Sequence, residues 1–149
     1  MTDRLEQLAL LEAEIGVLMR RTRRVIADRA AAVHPDLAGI SYLMLGYVRR
    51  NGPVRASELG AAFAIDKAAV SRQVQQMLEL GLLDRRPDPD DGRATLLSIT
   101  DVAETRLQEI SEQRRHWLEE RLTDWDDEEL AGLTGLLSRY NRTLDAILV

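Results

Sequence analysis

The chain has 149 residues, 45% apolar and 30% charged, with 20 basic and 25 acidic side chains for a net charge of −5. That is the size of one folding unit and the composition of a chain that folds; its acidic balance excludes a non-specific nucleic-acid coat but not a small basic footprint. The absence of cysteine excludes disulfides, thiolate metal sites, cysteine nucleophiles and thiol redox sensing.

Aromatic residues make up only 4% of the chain and there are four prolines, which favours helix over a β-sandwich. Leu5, Leu8, Leu11, Ile15, Leu18, Met19, Val25 and Ile26 recur at helical spacings and predict one long helix over residues 3–33, closed near His34 and Pro35. A second helix is expected from Gly39 to Arg50, with Ile40, Leu43, Met44, Tyr47 and Val48 on one face and Asn51, Gly52 and Pro53 at its end. A third spans Ala56 to Phe63. Arg55 stands where a small polar cap would be usual, so a ragged start is expected there.

The fourth helix is the best marked, with Asp66 as N-cap, residues 67–80 as the helix and Gly81 at the left-handed position beyond its end. Val70, Val74, Met77 and Leu78 share one side of it. Ala68, Arg72 and Gln75 lie opposite, flanked by Ser71 and Gln76. Two short apolar runs, residues 82–86 and 94–99, are joined by the turn-rich segment at 87–92 and predict a β-hairpin. Thr100 caps a fifth helix running to about Leu122. In the last helix Leu130, Leu133, Leu137, Tyr140, Leu144 and Ile147 form a heptad-like seam.

The opening residues have no apolar run behind a basic cluster, and the longest mainly apolar stretch, Leu37 to Val48, is too short to span a bilayer. A cytoplasmic protein without membrane contact is expected. No nucleophile is accompanied by a base and orienter, and no phosphate loop or metal-ligand set occurs, so neither enzymatic activity nor a cofactor is expected. A calcium loop starting at Asp88 would need an oxygen ligand at Gly92 and a glutamate at Ile99, so no metal site is assigned. The acidic run from Asp126 to Glu129 reads as a solvated helix start, where negative charge opposes the helix dipole.

Helices followed by a sharply capped helix and a two-stranded ribbon give the order of a winged helix-turn-helix, a fold that is mainly α with a small β-hairpin wing. Over residues 66–100 the sequence also resembles the MarR family of bacterial transcription regulators, through Leu78, Glu79, Gly81, Leu82, Arg85, Asp91, Arg93 and Thr100. The flanking long helices fit that architecture too. The resemblance implies a homodimer in which residues 36–100 form the DNA-binding lobe, while residues 1–35 and 101–149 supply a helical dimerisation domain. It also implies an effector that releases DNA, with repression as the usual direction of control. Lacking cysteine, the chain falls outside the peroxide-sensing branch of the family.

Double-stranded DNA is therefore the expected partner. On the fourth helix Arg72 suits a guanine edge, Gln75 an adenine edge and Ala68 a thymine methyl, while Lys67 and Ser71 at the helix start suit phosphates; Gln76 completes the face. Arg93 beside Gly92 suits the minor groove, with Asp91 orienting it by an ion pair and engaging Arg85 or Arg86 as well. Arg20, Arg21, Arg23 and Arg24 spread around the first helix, and pairing with the acidic C-terminal third is their ordinary use. Arg24 is the candidate anchor for a small aromatic or anionic effector, with His34, Tyr42 and His116 lining the same crevice. The alternative reading is a winged-helix module that binds protein instead of DNA through that acidic third.

Overall fold

The computed structural model of the chain describes residues 3–145. Helix α1 (Arg4–Val33) and helix α2 (Gly39–Asn51) lead into a short strand β1 (Val54–Arg55), then α3 (Ala56–Phe63) and α4 (Lys67–Glu79). Strands β2 (Leu83–Asp88) and β3 (Asp91–Ile99) follow, and α5 (Asp101–Arg121) and α6 (Asp127–Asp145) complete the order. Where length suggested one unit, there are two, the first ending at Ile110 and the second beginning at Ser111, within α5. The predicted mainly helical architecture with a small β wing is what forms. Ile147, placed in the C-terminal seam, lies outside the described residues.

In the first unit a single apolar cluster holds every element together. Met44 and Leu45 of α2, Leu59 of α3, Met77 of α4, Leu82, and Leu97 of β3 are all removed from solvent, each worth about 1.5–3 kcal/mol relative to an exposed position. Tyr47 and Phe63 add an edge-to-face contact at 5.9 Å between α2 and α3. Helix α5 enters the same cluster through Ala103, Leu107 and Ile110. It is fixed by two arginines. Arg49 forks onto Glu104, with Nη2 2.6 Å from Oε1, and Arg106 donates to the Val33 carbonyl at 2.7 Å, occupying an acceptor left over at the end of α1.

Each end of α4 is closed by its own sequence. Asp66 accepts from the Ala69 amide at 2.8 Å. At the other end Gly81 has φ +69°, its amide donates to Leu78, and Leu82 donates to Met77, which is the paired-bond stop that a left-handed glycine allows. Between α3 and α4 the chain turns at Ala64, which is left-handed at φ +51° although it carries a side chain. Gly60 permits the tight return: a Cβ there would stand 3.3 Å from the Ile65 carbonyl oxygen and 3.5 Å from Val70.

The sheet has the order β1-β3-β2 and is antiparallel throughout. Strand β1 was not expected. Two residues show no periodicity, yet Val54 pairs with Leu97 and Arg55 with Leu96. The hairpin is longer than its apolar runs, with Asp88 paired to Asp91 around a two-residue turn. The register slips between Pro87, opposite Thr95, and Asp88, so Gly92, Arg93 and Ala94 bulge out without partners on β2.

Contrary to expectation, α3 does not begin raggedly. The Arg55 amide donates to Glu58 Oε1 at 2.8 Å, so a carboxylate three residues on closes the helix start in place of a small polar cap. The Arg55 guanidinium crosses to the wing, with Nε 2.7 Å and Nη2 2.5 Å from Asp88 Oδ2, and Nη1 3.8 Å from Asp91 Oδ2. Asp88 is buried, and its second oxygen accepts from the Asp90 amide at 2.9 Å. That amide first, and the Arg55 guanidinium second, hold its carboxyl below the usual carboxylate range.

The second unit begins within α5 and contains α6. Asp126 and Glu129 form a reciprocal cap: the Glu129 amide donates to Asp126 Oδ1 at 2.8 Å and the Asp126 amide to Glu129 Oε2 at 3.0 Å. The acidic run is therefore partly a helix-starting device. No described residue of α6 is buried, and Leu133, Leu136, Leu137 and Leu144 are exposed.

Two outcomes test these local arguments. Ala64→Gly relieves the left-handed strain and should raise stability by about 0.5–1 kcal/mol in urea unfolding. Because the folded pKa of Asp88 is depressed, its contribution is complete above the unfolded value of about 3.9 and is lost as pH falls through the lower folded value. Acid titration followed by NMR at the wing amides should show that loss, and Asp88→Asn should abolish the transition.

Candidate nucleic-acid interface

Helix α4 divides its side chains sharply. Val70, Val74 and Met77 face inward, while Lys67, Ala68, Ser71, Arg72 and Gln75 stand on the exposed side. The inward face carries a polar pin as well: the fully buried Ser41 hydroxyl of α2 donates to Gln73 Oε1 at 2.5 Å. A helix held by both apolar contact and a directional bond cannot easily rotate about its axis, so the outward face keeps one orientation.

The outward residues differ in how free they are. No hydrogen bond or ion pair engages the side chains of Lys67, Ser71 or Arg72 among the described residues. Gln75 donates to Glu79 Oε1 at 2.9 Å along its own helix, an exposed bond that a better partner can displace. Gln76 is half-buried and donates to the Asp36 carbonyl at 2.9 Å, so its amide braces α4 against the segment between α1 and α2.

A hollow of about 500 Å³ opens beside this face, between α3, α4 and β2. Gly60 and Val70 contribute to its apolar lining, and Ser57, Lys67, Ser71 and Arg85 supply hydroxyl and cationic groups. Two cations and two hydroxyls around one concavity at a helix start suit a phosphate oxygen. Ser57 is not singled out by the sequence, where Arg85 enters as a matching position of the family resemblance and as one of two partners for Asp91. The available signal was the Arg85-Arg86 pair in the strand that follows α4.

At the wing, Arg93 is exposed within the bulge. The expected ion pair with Asp91 is replaced by a different contact: the Arg93 amide donates to Asp91 Oδ1 at 3.1 Å, and the cation nearest Asp91 is Arg55, not Arg85 or Arg86. Asp91 thus shapes the backbone under Arg93 and leaves the guanidinium unengaged. The bulge turns that side chain out of the ladder.

The four candidate effector residues are dispersed in character. Arg24 is exposed on α1, His34 accepts through Nδ1 from the Asp36 amide at 3.1 Å, and Tyr42 packs half-buried against the core. Within the first unit no hydrogen bond or ion pair joins any two of these three among the described residues. His116 belongs to the second unit, is exposed, and lies 3.4 Å from Glu120 and 3.9 Å from Glu119 on its own helix.

Comparison with known proteins agrees with this geometry. The MarR family profile matches residues 36–94. The HTH-type transcriptional regulator YxaD of Bacillus subtilis is 32% identical over 133 residues, covering 89% of this chain and 92% of YxaD. The HTH-type transcriptional repressor NicR of Pseudomonas putida is 29% identical over 90 residues, covering 59% of this chain and 57% of NicR. A solved MarR transcriptional regulator from Methanosarcina mazei Go1 shares the fold with a TM-score of 0.77 at 18% identity, covering 93% of this chain and 99% of that one. No described helix is long and apolar enough to cross a membrane. With its winged helix presenting an outward α4 and a bulged wing, the chain belongs to the MarR family of transcriptional regulators, whose winged helix binds DNA.

Proposed function

We propose that the protein is a homodimeric repressor that reads a pseudopalindromic operator and releases it when a small aromatic or anionic effector binds. The observation that carries the DNA reading is the outward face of α4, where Arg72 stands unengaged among Ala68, Ser71 and Gln75 above a buried apolar floor. Arg72 is assigned to a guanine edge and Gln75 to an adenine edge in the major groove. Lys67 and Ser71, joined by Ser57 and Arg85, are assigned to phosphates, and Arg93 to the adjacent minor groove. Gln76 is assigned to bracing α4, with a DNA contact only where the Asp36 bond opens.

Residues 36–100 are the proposed DNA-binding lobe, and residues 1–35 and 101–149 the dimerisation segments. Support comes from the exposed leucines of α1, among them Leu5, Leu8 and Leu11, and of α6, among them Leu133 and Leu137. Rows of this length left in water mark an interface. The named relative NicR is a repressor, which supports that direction of control here. For the effector, Arg24 is the proposed anion anchor, with His34 and Tyr42 of the same unit as lining residues. Release then follows if the ligand prefers a dimer geometry whose two α4 helices no longer match major grooves about 34–36 Å apart.

Selection of duplexes from a random library should yield a palindromic site. On that duplex Arg72→Ala should lose about 1–3 kcal/mol per half-site and flatten discrimination at one base pair, with non-specific affinity nearly unchanged. Arg93→Ala should instead reduce the salt slope and the sensitivity to flanking A-tracts. Indistinguishable profiles at two salt concentrations would sink the assignments, and a weak salt response of the wild type would favour the protein-binding alternative. In a separate measurement, Leu137→Asp should convert dimer to monomer in light scattering and weaken DNA binding with it; a wild-type monomer at micromolar concentration overturns the dimer. Benzoate should displace wild-type protein from the duplex but not Arg24→Ala.

A further inference from the structure

We propose that Arg55 is the positioning residue of the wing: it clamps both sides of the hairpin tip and thereby sets where Arg93 meets DNA. The inference rests on the reading of Arg93 as a minor-groove contact. Its physical basis is a gap in the sheet. From Asp88 onward the ladder slips, and Gly92, Arg93 and Ala94 have no residues opposite them on β2. A hairpin tip separated from the rest of the ladder by three unpaired residues is a low-stability segment unless side chains replace the missing bonds.

Arg55 supplies that replacement from outside the hairpin. Its backbone is fixed twice, by pairing with Leu96 of β3 and by the amide bond to Glu58. The guanidinium therefore extends from a rigid base. Two of its nitrogens hold Asp88 Oδ2 before the turn, and the third faces Asp91 Oδ2 after it. Both carboxylates pass the constraint on to main chain. Asp88 Oδ1 receives the Asp90 amide, and Asp91 Oδ1 receives the Arg93 amide. One planar cation thus ties together a backbone position in the turn and one within the bulge. A guanidinium suits this, since its nitrogens meet the two carboxylates along separate directions fixed by one planar group.

The burial of Asp88 shows which way the dependence runs. It is the one buried acidic side chain among the described residues, and a buried carboxylate persists as an anion only with a partner charge and filled lone pairs. Without Arg55 the carboxylate must move toward water, and the turn must move with it. The clamp is peculiar to the residue at position 55, where a small capping side chain could close α3 equally well but could not reach the wing.

The test separates the clamp from its effect on DNA. In Arg55→Gln and in Asp88→Asn, hydrogen exchange at the Asp90 and Arg93 amides should accelerate at least tenfold while core amides such as Leu45 and Val74 stay protected. Affinity for the duplex selected by the wild type should fall about tenfold, with loss of A-tract discrimination, and Arg55→Gln should cost nothing further in an Arg93→Ala background. Unchanged exchange at the tip in both variants overturns the clamp. An equal loss of affinity with and without Arg93 shows a purely structural role and also overturns the proposal. If exchange accelerates while Arg93→Ala binds like the wild type, the minor-groove reading has failed, and the positioning role falls with it although the clamp itself stands.

Discussion

The hydrogen bonds around Thr100 join three elements at one point. Its hydroxyl donates to the Gly81 carbonyl at 2.8 Å and accepts from the Ala103 amide at 3.1 Å, while its own amide donates to Leu82 at 3.2 Å. The end of α4, the base of the hairpin and the start of α5 are therefore fixed relative to one another. Gly81 makes this possible because its positive φ turns the chain back on itself while Leu82 enters the core. If that junction loosened, α4 and the wing would move separately. The protein would then present two independent binding elements in place of one surface.

Charge is distributed unevenly along the chain. The last 56 residues carry 12 acidic and 6 basic side chains, whereas Lys67, Arg72, Arg85 and Arg93 stand exposed around α4 and the wing. An acidic balance disfavours random adsorption to a polyanion, and the proposed contact residues supply the local cations that a DNA-binding fold needs. A net charge of −5 and a DNA-binding fold are thus compatible.

What was legible beforehand follows from the range of the interactions involved. Asp66, Gly81 and Thr100 act within four residues of the helix ends they define, so spacing alone exposed α4 and the start of α5. The outward placement of Ala68, Ser71, Arg72 and Gln75 followed from helical periodicity. Arg55 and Asp88 lie 33 residues apart, Ser41 and Gln73 lie 32 apart, and Gln76 reaches back 40 residues to Asp36. No local pattern encodes such pairs. The bulge was hidden for a related reason: register depends on which strand residues oppose one another, and the Pro- and Asp-rich turn fits several alignments. Strand β1 became visible only once β3 was there to pair with it.

Lys67 opens α4 and is the only lysine in the chain, where arginine supplies every other side-chain cation. Its exposed ε-amine is consequently the sole side-chain primary amine, and it lines the hollow shared with Ser71 and Arg85. Amine-directed chemistry that on most proteins would scatter labels over many side chains meets here, besides the α-amine, a single one on the outward side of α4. A single fluorophore, cross-linker or acetyl group introduced there would report on, or block, occupancy of that face without altering charge anywhere else on the side chains.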